Sequence, residues 1–251
     1  AAKKHRGAQV DYLPVKLDIE NVSRCNFRCT MCAVSNWHKG QRAPDMSLDC
    51  FKRLIDEQYG LVEIKLLGLG EPTMQRDIFY EMIRYARSQH IWVRTTTNAS
   101  LLHIDGAYYK LIDAGTNEVQ ISIDGATKET FDAIRRGGDF NRVTANCNLI
   151  NDHARSRGAE RTKMWTVVQR ANVHELEDLV DLAAEMGFTN QVFSLDVHDW
   201  SGQVDTAADN VPPDKERLFK LVKIGRELGV RVAFWNVTEK YDAENICDWP
   251  F

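Results

Sequence analysis

Three cysteines fall within eight residues, Cys25-Asn26-Phe27-Arg28-Cys29-Thr30-Met31-Cys32, at a C-x3-C-x2-C spacing. Thiolates this close in one short loop can face a single metal centre. They are one ligand short of a tetrahedral zinc site or a four-iron cube. A fourth protein ligand, with His38 or Cys50 as the candidates, would close a structural zinc site. An open fourth position would instead leave the metal centre available for chemistry.

Other polar and glycine-rich clusters recur downstream. They are Gly68-Leu69-Gly70-Glu71-Pro72, Thr97-Asn98, Ser122 with Asp124-Gly125, Gln169 with Asn172, and Asp196 with His198, Asp199 and Trp200. Taken singly, each has an ordinary reading as a tight turn, an Asx turn or a cap. Taken together they share a position, because each follows a short apolar run. Those runs are residues 15–20 (ahead of the cysteines), 62–67, 92–97, 119–123, 164–168 and 191–195, with a seventh at 230–235.

Between the runs, apolar residues recur at helical spacing over 48–59, 76–89, 106–114, 128–134 and 142–157. Ser47 reads as the cap of the first of these helices, and Asn172 to Glu175 as a capping box ahead of a helix through Met186. Pro212-Pro213 opens a last helix to Leu228, after a polar loop over 199–211. Regular strand–helix alternation implies a parallel sheet, whose ligands sit beyond the carboxyl ends of its strands. The expected fold is therefore α/β, a partial parallel (β/α)6 TIM-like barrel with a seventh strand near the C-terminus. Residues 1–14 read as a tail and 15–235 as the barrel core, leaving 236–251 as a separate segment.

Composition narrows the function classes. The 251 residues are 43 % apolar, enough for a sizeable core, and 32 Lys and Arg face 36 Asp and Glu. A net charge of −4 argues against a nucleic-acid partner held through broad phosphate contacts. No apolar run reaches bilayer length and no signal-peptide pattern opens the chain, so no membrane partner is expected. Six cysteines in a chain this long do not form a disulfide framework, and a reducing cytoplasm suits the cluster.

The joint pattern resembles a known family. C-x3-C-x2-C after the first strand, G-E-P after the second, T-N after the third and S-I-D-G after the fourth are similar to the radical S-adenosylmethionine (radical SAM) enzymes, over about residues 15–200. Two positions depart from the family pattern. Met31 stands before the last cysteine where an aromatic residue is usual, and Leu69 replaces the first glycine of G-G-E-P.

The resemblance implies that Cys25, Cys29 and Cys32 hold a 4Fe–4S cluster whose fourth iron takes S-adenosylmethionine. It implies that Gly70 and Glu71 receive that ligand's ammonium through their carbonyls, near Asn98, and that Ser122 and Asp124 meet its ribose or methionine end. Arg135 or Arg136 would pair with its carboxylate. Met31 would lie against the adenine edge, and backbone near Val168 and Leu195 would line it. The implied reaction is reductive cleavage to a 5′-deoxyadenosyl radical, which abstracts hydrogen from a C–H bond of a peptide or small-molecule substrate. The electron donor would be a flavodoxin or ferredoxin. His198 and Asp199 are the candidates for accepting a proton, and Trp200 for an apolar wall.

The final residues, Cys247-Asp248-Trp249-Pro250-Phe251, resemble the entry to a SPASM or twitch extension, in which Cys247 would serve an auxiliary 4Fe–4S cluster. Relatives with such extensions modify peptides, mature sulfatases or dehydrogenate aminocyclitols. Two other readings stay open on the residues alone: a non-enzymatic zinc module, and a plain electron carrier.

Overall fold

Among the described residues, seven short strands carry the fold: β1 (Lys16–Ile19), β2 (Glu63–Leu66), β3 (Trp92–Thr97), β4 (Glu118–Ser122), β5 (Thr162–Val167), β6 (Asn190–Ser194) and β7 (Arg231–Trp235). All pair in parallel and in chain order, β1 to β7, in one sheet. The computed structural model describes residues 12–35, 42–195, 197 and 209–235. Seven α-helices fill the connections among them: α1 (Leu48–Glu57), α2 (Asp77–Ser88), α3 (Ala107–Asp113), α4 (Lys128–Ile134), α5 (Phe140–Ser156), α6 (Leu176–Glu185) and α7 (Lys215–Leu228). No helix among the described residues is long and apolar enough to cross a membrane.

The period-two alternation within the strands decides what lies on each side of the sheet. On β3, Val93, Thr95 and Thr97 are buried, while Trp92, Arg94 and Thr96 are half-exposed. The buried set joins Ile64, Val119, Ile121 and Met164 from neighbouring strands in one apolar core. Phe51, Phe79, Ile83, Leu111, Ile150 and Leu179 of the helices complete it. Burying each such side chain contributes about 1.5–3 kcal/mol. The other face curls around a cavity of about 750 Å³, lined from Asp18 on β1, Lys65, Arg94, Gln120 and Lys163 on the middle strands, Val192 on β6 and Ala233 on β7. A cavity touched by all seven strands is the lumen of a partial TIM-like barrel.

Local chemistry sets the helix starts. Ser47 accepts from the Cys50 amide at 3.1 Å and caps α1 as expected. The last helix starts at Lys215 rather than at Pro212-Pro213, because Asp214 is its cap and accepts from the Arg217 amide at 2.8 Å. The capping box at Asn172–Glu175 does not form. Asn172 donates instead to the carbonyls of Asp124 and Val167, each at 2.9 Å, and accepts from the Gln169 amide. Glu175 accepts from the Ala126 amide at 2.8 Å and the Thr127 hydroxyl at 2.7 Å. Tertiary partners at the start of α4 won over the local cap.

Candidate active site

The three cysteines meet at one cavity of about 200 Å³, which Met31, Gly70, Glu71, Asn98, Ser122 and Arg135 also line. Their loop is anchored rather than free-standing. Phe27 is 2 % exposed and belongs to the core. Arg28 and Thr30 donate backbone amides to the carbonyls of Arg136 (2.7 Å) and Ile134 (2.9 Å), which ties the loop to the end of α4. Asn26 donates to the Ser100 hydroxyl at 2.8 Å and accepts from Asn98 at 3.0 Å, which ties it to the end of β3.

Donors also approach the sulfurs. The Phe27 amide lies 3.4 Å from Cys25 Sγ, the Asn98 amide nitrogen 3.9 Å from the same atom, and Arg135 Nη1 4.0 Å from Cys29 Sγ. Burial pushes the Cys25 thiol up to about 12, and the Phe27 amide opposes it. Burial likewise pushes Cys29 up to about 11, and the Arg135 charge opposes it.

Among the described residues, no three His, Cys, Asp or Glu side chains converge closely enough for a single metal ion. Cys50 is exposed on α1 and is not part of the cavity lining, and His38 lies outside the described residues. Among the described residues, therefore, no tetrahedral zinc site is assembled. A four-iron cube asks less, since each cysteine binds a different iron and the thiols need only share a cavity.

The glycine turn after β2 is held by Glu20 at the end of β1. Glu20 Oε1 accepts from the amides of Leu69 (2.7 Å) and Gly70 (3.2 Å). A Cβ on Gly68 would lie 2.2 Å from that oxygen, and one on Gly70 would lie 1.9 Å from the Val22 carbonyl oxygen. Close backbone approach therefore fixes Gly70, whereas Gly68 is confined by the Glu20 side chain. The departure at Leu69 falls between them, at a position that carries a side chain in this turn.

Glu71 does not present its carboxylate as a ligand. It is 3 % exposed and accepts from the Thr73 amide (3.2 Å), the Thr97 hydroxyl (2.7 Å) and the Asn98 amide (2.8 Å). Burial raises its carboxyl above the usual range, and these donors oppose that shift. The Glu71 carbonyl accepts from the Met74 amide at 3.1 Å, in the 3-10 turn Pro72–Gln75.

At the end of β4, Ser122 borders both cavities, as do Met31 and Gly68. Asp124 lines neither. It is fully buried, accepts from the Val167 amide at 2.8 Å and pairs with Arg135 Nη2 at 2.7 Å. Arg135 lines the cysteine cavity, and its buried Nε has no hydrogen-bond partner. Arg136 is exposed and is tied to the cysteine loop through its carbonyl.

Val168 is fully buried in the core, and its amide donates to Ser194. Leu195 packs against that core, and its amide donates to Trp235. The side chains facing the lumen at this level are Val167, Ser194 and Val197, one or two positions along. Asp196, His198, Asp199, Trp200 and Cys247 lie outside the described residues. Sequence reasoning passed over Glu20 and Asn26. The only signal for either was its place, one at the end of the first strand and the other beside the first cysteine.

The sequence profile of the Radical SAM superfamily matches residues 21–183. The chain belongs to the radical SAM superfamily. Among its curated relatives is mycofactocin maturase MftC of Mycolicibacterium smegmatis, 35 % identical over 185 residues, which are 72 % of this chain and 45 % of that protein. The chain thus spans about half the length of the MftC proteins it matches. A GTP 3',8-cyclase of Saccharophagus degradans is 26 % identical over 96 % of this chain and 75 % of its own. Among solved structures, Streptococcus suis SuiB bound to S-adenosylmethionine superposes with a TM-score of 0.68 at 16 % identity, over 89 % of this chain and 50 % of that one.

Radical SAM proteins use a 4Fe–4S cluster and S-adenosylmethionine. This chain fits both on three counts. Three thiols share one cavity, the Gly70 backbone stands where a Cβ would collide with Val22, and the Arg135 cation is buried at the wall with an unpartnered nitrogen.

Proposed function

We propose that this chain is the catalytic barrel of a radical SAM enzyme acting on a C–H bond of a peptide or small-molecule substrate. The observation that carries the reading is the shared wall of the two cavities. Met31, Gly68 and Ser122 border both the cysteine cavity and the lumen, so a group bound at the cysteines adjoins a substrate in the barrel. When bound, the cluster and S-adenosylmethionine together supply a 5′-deoxyadenosyl radical that abstracts hydrogen.

The chain's own residues bind and orient. Cys25, Cys29 and Cys32 would hold three irons of the cluster. Arg135, fixed by Asp124, faces the ligand's carboxylate with a nitrogen that has no other partner. Gly70 offers close backbone approach to the ammonium, in a turn that Glu20 fixes. Ser122 offers a hydroxyl to the ribose, and Met31 a polarizable side chain to the adenine. A peptide substrate is supported by the maturase among the relatives and by SuiB, which has also been solved with its precursor peptide SuiA. A flavodoxin or ferredoxin would supply the electron.

The test is anaerobic reconstitution with iron and sulfide, reduction by dithionite and addition of S-adenosylmethionine. Brown protein that forms 5′-deoxyadenosine and methionine is expected, and Cys29→Ala should abolish both colour and product. Colourless protein holding one zinc would overturn the reading. S-adenosylhomocysteine in place of 5′-deoxyadenosine would also overturn it, by pointing to methyl transfer.

A further inference from the structure

The lumen is charged at one end and apolar at the other. Lys65, Arg94 and Lys163 line it from β2, β3 and β5, and Asp18 is the one carboxylate lining it among the described residues. The wider network at the amino ends of the strands pairs Lys16 with Glu63 (2.8 Å), Lys65 with Asp18 (3.4 Å), and both Arg94 (2.8 Å) and Lys163 (2.7 Å) with Glu118. That is four cations against three carboxylates, in a chain whose net charge is −4. Two of the carboxylates are shared: Glu118 by Arg94 and Lys163, and Glu63 by Lys16 and, at 3.8 Å, Arg94. Ammonium and guanidinium groups carry three and five donors, so these pairs leave donors to spare. Lys65 is the least engaged, since its contact to Asp18 is long and the Asp18 side chain is 58 % exposed.

Further up, on β5 and β7, Trp165 and Trp235 meet edge to face at 5.9 Å, and Val167 and Val192 extend the same wall. Lys65 lies three residues before Gly68, and Lys163 four before Val167. At about 3.3 Å per residue the cations sit about 10–13 Å below the rim that carries the cysteine loop.

We infer that the lumen selects substrates carrying a carboxylate next to an apolar or aromatic body. The carboxylate is held by Lys65, Arg94 and Lys163, and the body lies along Trp165 and Trp235. The inference rests on the radical SAM reading for what happens at the rim, but the recognition itself is a property of the barrel. Charge-assisted hydrogen bonds at the floor offset the desolvation of the carboxylate. The aromatic wall contributes the apolar burial. The substrate is thereby fixed at its far end, and a C–H bond of the body faces the cysteine cavity. A peptide C-terminus and a small organic acid share this chemistry.

Calorimetric titration of the reconstituted full chain decides the matter, with three probes: N-acetylglycylphenylalanine, its C-terminal amide, and 3-phenylpropanoate. The peptide acid should bind at least about tenfold more tightly than the amide, a difference of about 1.4 kcal/mol. The double variant Lys65→Met/Lys163→Met should erase that preference while keeping its iron and sulfide content. Lys65→Gln, which gives up one long and exposed ion pair, should reduce it and serves if the double variant fails to fold. Comparable binding of 3-phenylpropanoate supports the inference with a small acid as the source, and its failure beside a binding peptide acid supports it with a peptide. Equal binding of acid and amide, no saturable binding of any probe, or an unchanged preference in folded variants overturns it. Failure of the wild-type chain to form 5′-deoxyadenosine is a separate result, and it sinks the functional reading without touching the binding data.

Discussion

The Arg135 guanidinium stands 2.7 Å from the Asp124 carboxylate, with both side chains almost wholly buried beside Cys29. Burial raises the Asp124 carboxyl above its ordinary value, and the Arg135 charge opposes that shift. Removing one partner leaves the other charged and unpaired in the interior, which costs about 3–5 kcal/mol. Asp124→Ala should therefore lower unfolding stability in urea by that order. Arg135→Met in the same chain should restore much of it, because a thioether needs no counter-charge. A purely additive double-mutant cycle would show that the two side chains do not act as a pair.

The glycine turn gives an ordered series. A Cβ on Gly70 would sit 1.9 Å from a backbone oxygen, which cannot move without displacing the cysteine loop. A Cβ on Gly68 would meet the Glu20 side chain, which can rotate away at the expense of two hydrogen bonds. Binding of S-adenosylmethionine to the reconstituted protein, followed by equilibrium dialysis, should fall in that order. Gly70→Ala should lose more than about tenfold, Gly68→Ala less, and Leu69→Gly little. Equal losses at all three positions would contradict the steric argument.

How much of this was legible in the sequence depended on the range of the forces involved. Strands β1 to β7 and their helices could be read from periodicity, since burying one face of each element is a local pattern. The ranges of β3 and α4 match expectation residue for residue. The cysteine loop was legible because its three ligands fall within eight residues. Long-range polar choices were not. Asn172 and Glu175 carry the letters of a capping box, yet their side chains bond residues 45 or more positions away in Asp124, Ala126, Thr127 and Thr130. Val167, the last residue of β5, and Val168, the next, differ only in parity, and parity decides lumen against core. Glu20 is a plain acidic strand end until β2 brings the Leu69 and Gly70 amides beside it.

Asn26 is the neighbour of Cys25 that locks its loop. It bonds Ser100 at 2.8 Å and Asn98 at 3.0 Å, and Asn98 in turn approaches Cys25 Sγ. Asn26→Ala should cost about 1–2 kcal/mol through lost hydrogen bonds. It should also speed the loss of iron–sulfur absorbance when the reconstituted protein is challenged with a chelator. Asn26→Asp, which can still accept from Asn98, should be intermediate. Bleaching at the wild-type rate in Asn26→Ala would remove Asn26 from the cluster's support.

The clamp between α6 and α7 makes stability depend on pH. Arg217 Nε and Nη2 hold both oxygens of Glu177, at 3.1 and 2.6 Å, and Lys220 lies 3.3 Å away. The bonds from Arg217 lower the Glu177 carboxyl to about 2, from an ordinary 4.5. A carboxyl lowered in the folded state contributes its full stability above the unfolded value, and loses it as pH falls through the folded one. The window therefore runs from about pH 4.5 down to about pH 2. The shift corresponds to at most about 3 kcal/mol, and partial exposure of the carboxylate screens it to less. Glu177→Gln should lower the melting temperature by several degrees at pH 7. The gap to wild type should narrow steadily below pH 4.5 and nearly close as pH approaches 2. A gap of constant size from pH 7 to pH 3 would mean that Glu177 supports the helix pair through packing alone, and that the charge of its bidentate bond to Arg217 contributes nothing.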